Sequence, residues 1–137
     1  MSVPMIRRAV AGALAAALVL GLSGLALAHT VSFRTRLTIN PKPDGRVSAG
    51  ETVVFKGRLA SPRSGCESRS RIQLILVGQG VVAKTRTDRE GRYRFEQVVN
   101  ETSTWRTRFK GKALNAVHPH NHTCERSRSP KIRVRVV

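Results

Sequence analysis

Carboxylates are scarce in this chain: 8 aspartates and glutamates stand against 25 lysines and arginines in 137 residues. Asp44, Glu51, Asp88, Glu90 and Glu125 fall mostly in turn-rich stretches, and Glu96 sits among arginines. No pair of them stands out as a general acid and base. Gly-x-Ser-x-Gly, phosphate-loop and His-Glu-x-x-His patterns are also absent. These absences argue against an enzyme. Aromatics make up 4% of the residues. Tyr93, Phe95, Trp105 and Phe109 alternate with arginines and face inward on a strand reading, so the exposed stacking platforms of single-strand binders are missing. No specific nucleic-acid partner is expected. No internal repeat or low-complexity segment occurs, and beyond residue 28 no helical period of useful length.

The one long apolar run lies at the start. Arg7 and Arg8 precede an uncharged stretch from Ala9 to Ala28 that closes on Ala26-Leu27-Ala28. A charged start, an apolar middle and a small-x-small ending form the secretory signal pattern. The alternative is a retained membrane anchor, since the run approaches the ~20 residues that span a bilayer. The clean cleavage triplet favours removal. Residues 1–28 are therefore expected to be a signal peptide, with a mature domain over residues 29–137 that keeps no membrane span. The expected location is outside the cell, released or wall-associated.

Cys66 and Cys124 are the only cysteines. An exported chain sits where disulfides persist, so the two are expected to bridge. Such a bridge contributes roughly 4 kcal/mol on the chain-entropy estimate. The alternative is a pair of free or metal-binding thiols.

Alternation of apolar and polar residues marks seven strands. The stretch TVSFRTRLTI sets Val31, Phe33, Leu37 and Ile39 against Arg34 and Arg36. TVVFKGRLA sets Val53, Phe55 and Leu59 against Lys56 and Arg58. RIQLILVG is the most apolar and reads as central; VVAKTRT exposes Lys84 and Arg86. GRYRFEQ buries Tyr93 and Phe95 between Arg92 and Arg94, and TWRTRFKG buries Trp105 and Phe109 beside Arg106 and Arg108. KIRVRVV ends the chain with Arg133 and Arg135 outward. Turn chemistry separates these runs, in NPKPDGRVSAGE, SPRSG, DREG and GKALNAVHPHNH. The pattern predicts an all-β, seven-stranded antiparallel sandwich. Both cysteines are expected in loops at one end of it.

The segments SAGETVVFKGRL, TDREGRYRF and SPKIRVRV resemble the immunoglobulin-like and carboxypeptidase-regulatory-like (transthyretin-like) modules of secreted bacterial proteins. The resemblance covers most of residues 30–137. It implies an immunoglobulin-like fold and a spacer or adhesive role, and carries no active site, since its motifs specify turns and core positions.

Removing Arg7 and Arg8 lowers the formal net charge from +17 to +15. The basic residues sit at i and i+2 on outward strand faces, which spreads a positive field over the surface. Arg34, Arg36, Lys56, Arg58, Arg92, Arg94, Arg106, Arg108, Arg133 and Arg135 are the candidate anion-binding residues. Their expected partner is an anionic cell-wall or surface polymer; the alternative is that the charge serves solubility alone.

Three of the four histidines fall in HPHNHTC, and the fourth, His29, follows the cleavage triplet. A free amino-terminal histidine offers amine and imidazole to copper, and imidazole also suits zinc. His29, His118, His120 and His122 are thus candidate metal ligands, provided the fold brings the loop to the new terminus. Pro119 argues for an irregular loop whose histidines are mostly solvated, and no cofactor is required by the rest of the sequence.

Overall fold

The computed structural model of the chain describes residues 29–114 and 120–137; the expected signal peptide lies outside them, as does His118. Thirteen strands are described: β1 (His29–Phe33), β2 (Arg36–Leu37), β3 (Asn40–Lys42), β4 (Arg46–Val47), β5 (Glu51–Ala60), β6 (Arg71–Leu76), β7 (Gly80–Arg86), β8 (Arg92–Val99), β9 (Ser103–Phe109), β10 (Lys112–Leu114), β11 (His120–Cys124), β12 (Ser127–Arg128) and β13 (Ile132–Val136). One helical turn, α1 (Ser64–Glu67), joins β5 to β6. The architecture is all-β and sandwich-like. No helix among the described residues is long and apolar enough to cross a membrane.

The larger sheet runs β4-β13-β9-β6-β7, with β12 also on β9. Opposite it, β5 pairs with β8 along one side and with β2 and β3 along the other. The period-two pattern does what it must in such a pair of layers. Val53, Phe55, Leu59, Tyr93 and Phe95 from one sheet meet Ile72, Leu74, Trp105, Phe109 and Val134 from the other, all buried. The Phe55 and Trp105 rings touch across the gap, with centroids 5.0 Å apart.

A polar bolt crosses the same core. The Tyr93 hydroxyl donates to the Thr38 carbonyl and also meets the Thr107 hydroxyl at 2.9 Å. Tyr93 is the cross-strand partner of Gly57, where a Cβ would collide with both the Thr38 oxygen and the Tyr93 ring. Only glycine lets the phenol lie over β5. The turn before β8 needs glycine as well, because Gly91 has φ +86° and presses on the Leu59 carbonyl.

Six of the seven expected strands are found, as β5, β6, β7, β8, β9 and β13. The first is broken. Instead of one strand over 30–39, β1 pairs with β11 and β2 pairs with β5, so the chain changes sheets between them. Thr35 makes the crossing: its hydroxyl donates to the Glu125 carbonyl at 2.7 Å and also meets the Ser127 hydroxyl at 2.8 Å. Side-chain bonds there replace ladder bonds. Two stretches expected as loops also contain short strands, β3 and β4 in one and β10 and β11 in the other. Pro41 is tolerated in β3 because that strand is an edge.

Cys66 and Cys124 are bridged, across 58 residues of sequence, and both are buried. Cys66 lies in α1 as a connecting segment should. Cys124 does not lie in a loop: it ends β11, which takes part in a third sheet ordered β1-β11-β10. Lys112 strengthens the join, its ammonium donating to the Gly65 and Ser68 carbonyls at 2.9 Å each. Burial, with the charge of Arg86 adding to it, lowers the Lys112 pKa.

Candidate anion-binding face

Basic residues at i and i+2 on neighbouring strands bring like charges directly opposite one another, which is destabilising. On the β5/β8 side Lys56 lies across from Arg94, and Arg58 across from Arg92. Carboxylates relieve both pairs. Arg94 meets Glu96 at 2.8 Å, Arg92 meets Glu90 at 2.6 Å, and Arg58 meets Glu67 at 3.2 Å.

The opposite face is built without that relief. None of β4, β6, β7, β9, β12 and β13 contains an aspartate or glutamate. Yet Arg71 lies across from Arg86, Arg108 from Arg128, and Arg46 from Arg135. Among the described residues every ion pair uses an arginine of β5 or β8. The charge asymmetry between the two faces is therefore a matter of where the carboxylates are.

Several of these guanidinium groups are held by neutral acceptors. Arg108 Nε donates to Gln73 Oε1 at 2.9 Å, and Gln73 is the residue across from it on β6. Arg106 donates to the Ser129 carbonyl at 3.2 Å, while the Ser129 hydroxyl accepts the Thr107 amide at 2.8 Å. Arg86 donates to the Arg69 carbonyl at 3.1 Å. Such bonds orient the planar fork without neutralising it. Beside them an open cleft of about 610 Å³ is lined by Arg108, Phe109, Lys110, Arg126, Ser127 and Arg128.

The ten basic residues singled out from sequence divide three ways. Arg106, Arg108, Arg133 and Arg135 share the face whose strands hold no carboxylate, although Glu101, in the turn before β9, lines a hollow together with Arg133. Lys56, Arg58, Arg92 and Arg94 share the face that carries the ion pairs. Arg34 and Arg36 stand exposed where the chain crosses between sheets. Sequence reading missed Arg126 and Arg128, although the spacing of Arg126-Ser127-Arg128 repeats the i, i+2 signal found elsewhere. Residues 125–129 hold no apolar side chain, so nothing in their pattern marks a strand.

The described histidines lie on β1 and β11. HNHTC is strand β11, a correction to the loop reading, because β1 and β10 supply it with partners on both sides. The parallel register sets His29 opposite His120 and Val31 opposite His122. His122 is half-buried rather than freely solvated, its ring edge-on to Phe33 with centroids 5.6 Å apart. Among the described residues no group of three His, Cys, Asp or Glu is arranged to hold a metal ion.

Compared with known proteins, the chain matches no family model and no curated protein. Its function is therefore read from the geometry of the face itself.

Proposed function

We propose that this protein is an exported, non-catalytic binding module of immunoglobulin-like architecture, which holds an anionic polymer at the cell surface. The observation that carries the reading is a face whose strands hold no carboxylate, with its directly opposed arginines making no ion pair among the described residues. A face built only for solubility has no reason to concentrate the three ion pairs of the described residues on its opposite side. Multiple exposed cations facing a polyanion gain affinity chiefly through counterion release. The immunoglobulin-like assignment is supported by strand order: the last strand β13 lies beside β9, β9 beside β6, and β5 with β8 forms the opposing layer. Export is supported by the signal pattern and by a buried disulfide.

The test compares two quadruple variants of equal charge change in binding to a phosphodiester or sulfated polymer. Neutralising Arg71, Arg106, Arg108 and Arg128 to glutamine should remove most of the binding. Neutralising Lys56, Arg58, Arg92 and Arg94 should leave most of it. Equal losses would count against a face-specific site.

A second reading concerns copper, and one register favours it. If cleavage frees the amine of His29, the Cα partner of that residue is another histidine, His120. An amine and two imidazoles suit Cu(II).

A further inference from the structure

The open cleft lined by Arg108, Lys110, Arg126 and Arg128 does not stand alone. A second, of about 270 Å³, is lined by Arg106, Arg108, Arg128 and Lys131 together with apolar residues of β6 and the turn after it. Arg108 and Arg128 belong to both clefts, and they are direct cross-strand partners. The two side chains thus form a shared ridge with a basic hollow on either side. Neither hollow has a carboxylate in its lining.

The ridge is pre-set on one side. Gln73 fixes Arg108 through its Nε, and the carbonyl of buried Ser129 fixes Arg106. Arg106 Nε is buried and has no hydrogen-bond acceptor among the described residues. Guanidinium groups oriented before binding lose less freedom when an anion arrives. They also offer paired N–H donors that match the oxygens of a tetrahedral anion.

Strand geometry supplies the spacing. Arg106 lines one hollow, Lys110 the other and Arg108 both, at the i, i+2, i+4 spacing of one extended stretch, so basic groups recur about every 7 Å from one hollow to the next. We infer that the two hollows take successive phosphate groups of one linear phosphodiester chain, laid across the Arg108–Arg128 ridge. A polymer of three-carbon polyols joined by phosphodiesters repeats its charge at about that interval. A single-stranded nucleic acid would also present phosphodiesters, but base stacking needs exposed aromatics, and Tyr93, Phe95, Trp105 and Phe109 are all buried. This inference rests on the anion-binding reading of the face and narrows it to a place and a ligand class.

The test uses the mature protein and poly(glycerol phosphate), with polyglutamate and a mixed-sequence single-stranded oligonucleotide of similar charge as comparators. Three proteins are compared at physiological ionic strength: wild type, Arg108→Gln/Arg128→Gln, and Arg133→Gln/Arg135→Gln. The ridge variant should weaken poly(glycerol phosphate) binding by on the order of tenfold or more, and the equally charged β13 variant by only a few-fold. Wild type should prefer the phosphodiester polymer to both comparators. Equal weakening in the two variants, or equal binding of a comparator, would overturn the ridge while leaving a general anion-binding face intact. No wild-type binding would overturn both. A thermal melt of each variant checks folding, and Arg128→Glu serves as a second ridge variant because it gives Arg108 a partner and should fold at least as well.

Discussion

Arg108 and Arg128 are directly opposed on antiparallel strands β9 and β12, and neither has a carboxylate partner among the described residues. Two guanidinium groups so placed repel, and opposed like charges cost a few tenths of a kcal/mol up to about 1 kcal/mol. Stability and binding should therefore pull in opposite directions at this pair. Arg128→Glu is expected to raise the denaturation midpoint slightly, through a new cross-strand ion pair, and to weaken binding to anionic polymer. Its salt dependence should also flatten, since counterion release falls as basic contacts are lost. Loss of stability together with unchanged binding would mean that Arg128 is structural.

The disulfide fastens α1 to the small β1-β11-β10 sheet. Replacing both cysteines, Cys66→Ala/Cys124→Ala, should cost roughly 4 kcal/mol of unfolding free energy. Chemical denaturation measures it. The small sheet should loosen first, with amide exchange rising in β10 and β11 while β6 and β9 stay protected.

Tyr93 and Gly57 form the most exacting contact in the core. Gly57→Ala has no room for its methyl between the Thr38 carbonyl and the Tyr93 ring, and should cost several kcal/mol or abolish folding. Tyr93→Phe keeps the ring but strands the Thr38 carbonyl, at a cost of about 1 to 3 kcal/mol. Burial also raises the phenol pKa well above its ordinary 10. The folded state thus retains a proton that the unfolded chain releases. This contribution is fully present below pH 10 and is lost as pH rises beyond it. Tyr93 is the only tyrosine, so phenolate absorbance reports it alone. The absorbance should appear together with cooperative unfolding, not as a separate titration near pH 10.

The copper reading turns on an authentic amino terminus. Protein beginning at His29 should bind one Cu(II), more tightly than protein carrying an extra residue before it. His120→Ala should weaken that binding, because His120 is the register partner of His29. Equal affinity in all three proteins would dismiss the site.

Much of the fold was legible where a strand is long and buried on one side. Val53, Phe55 and Leu59 in β5, or Trp105 and Phe109 in β9, alternate with charge and leave a single register that hides the apolar set. The break at Thr35 was not legible, because Val31, Phe33, Leu37 and Ile39 continue the alternation straight across it. A hydroxyl bonded to residues some ninety positions away divides them. The strand HNHTC was hidden for a similar reason: its own pattern is polar, and its partners β1 and β10 define it. The candidate face was half legible. Composition supplied the charge, but which arginines keep a carboxylate depends on the pairing of β5 with β8 and on where α1 delivers Glu67.

On the proposed reading, one face of the sandwich, not the net charge at large, meets the anion. Backbone amide shifts of isotopically labelled protein, titrated with poly(glycerol phosphate) at physiological ionic strength, distinguish the two possibilities. Saturable shifts are expected to concentrate on β6, β9, β12 and the turn entering β13, with β5 and β8 nearly silent. Shifts of equal size on both faces, or a set centred on the Lys56, Arg58, Arg92 and Arg94 side, would contradict a face-specific site.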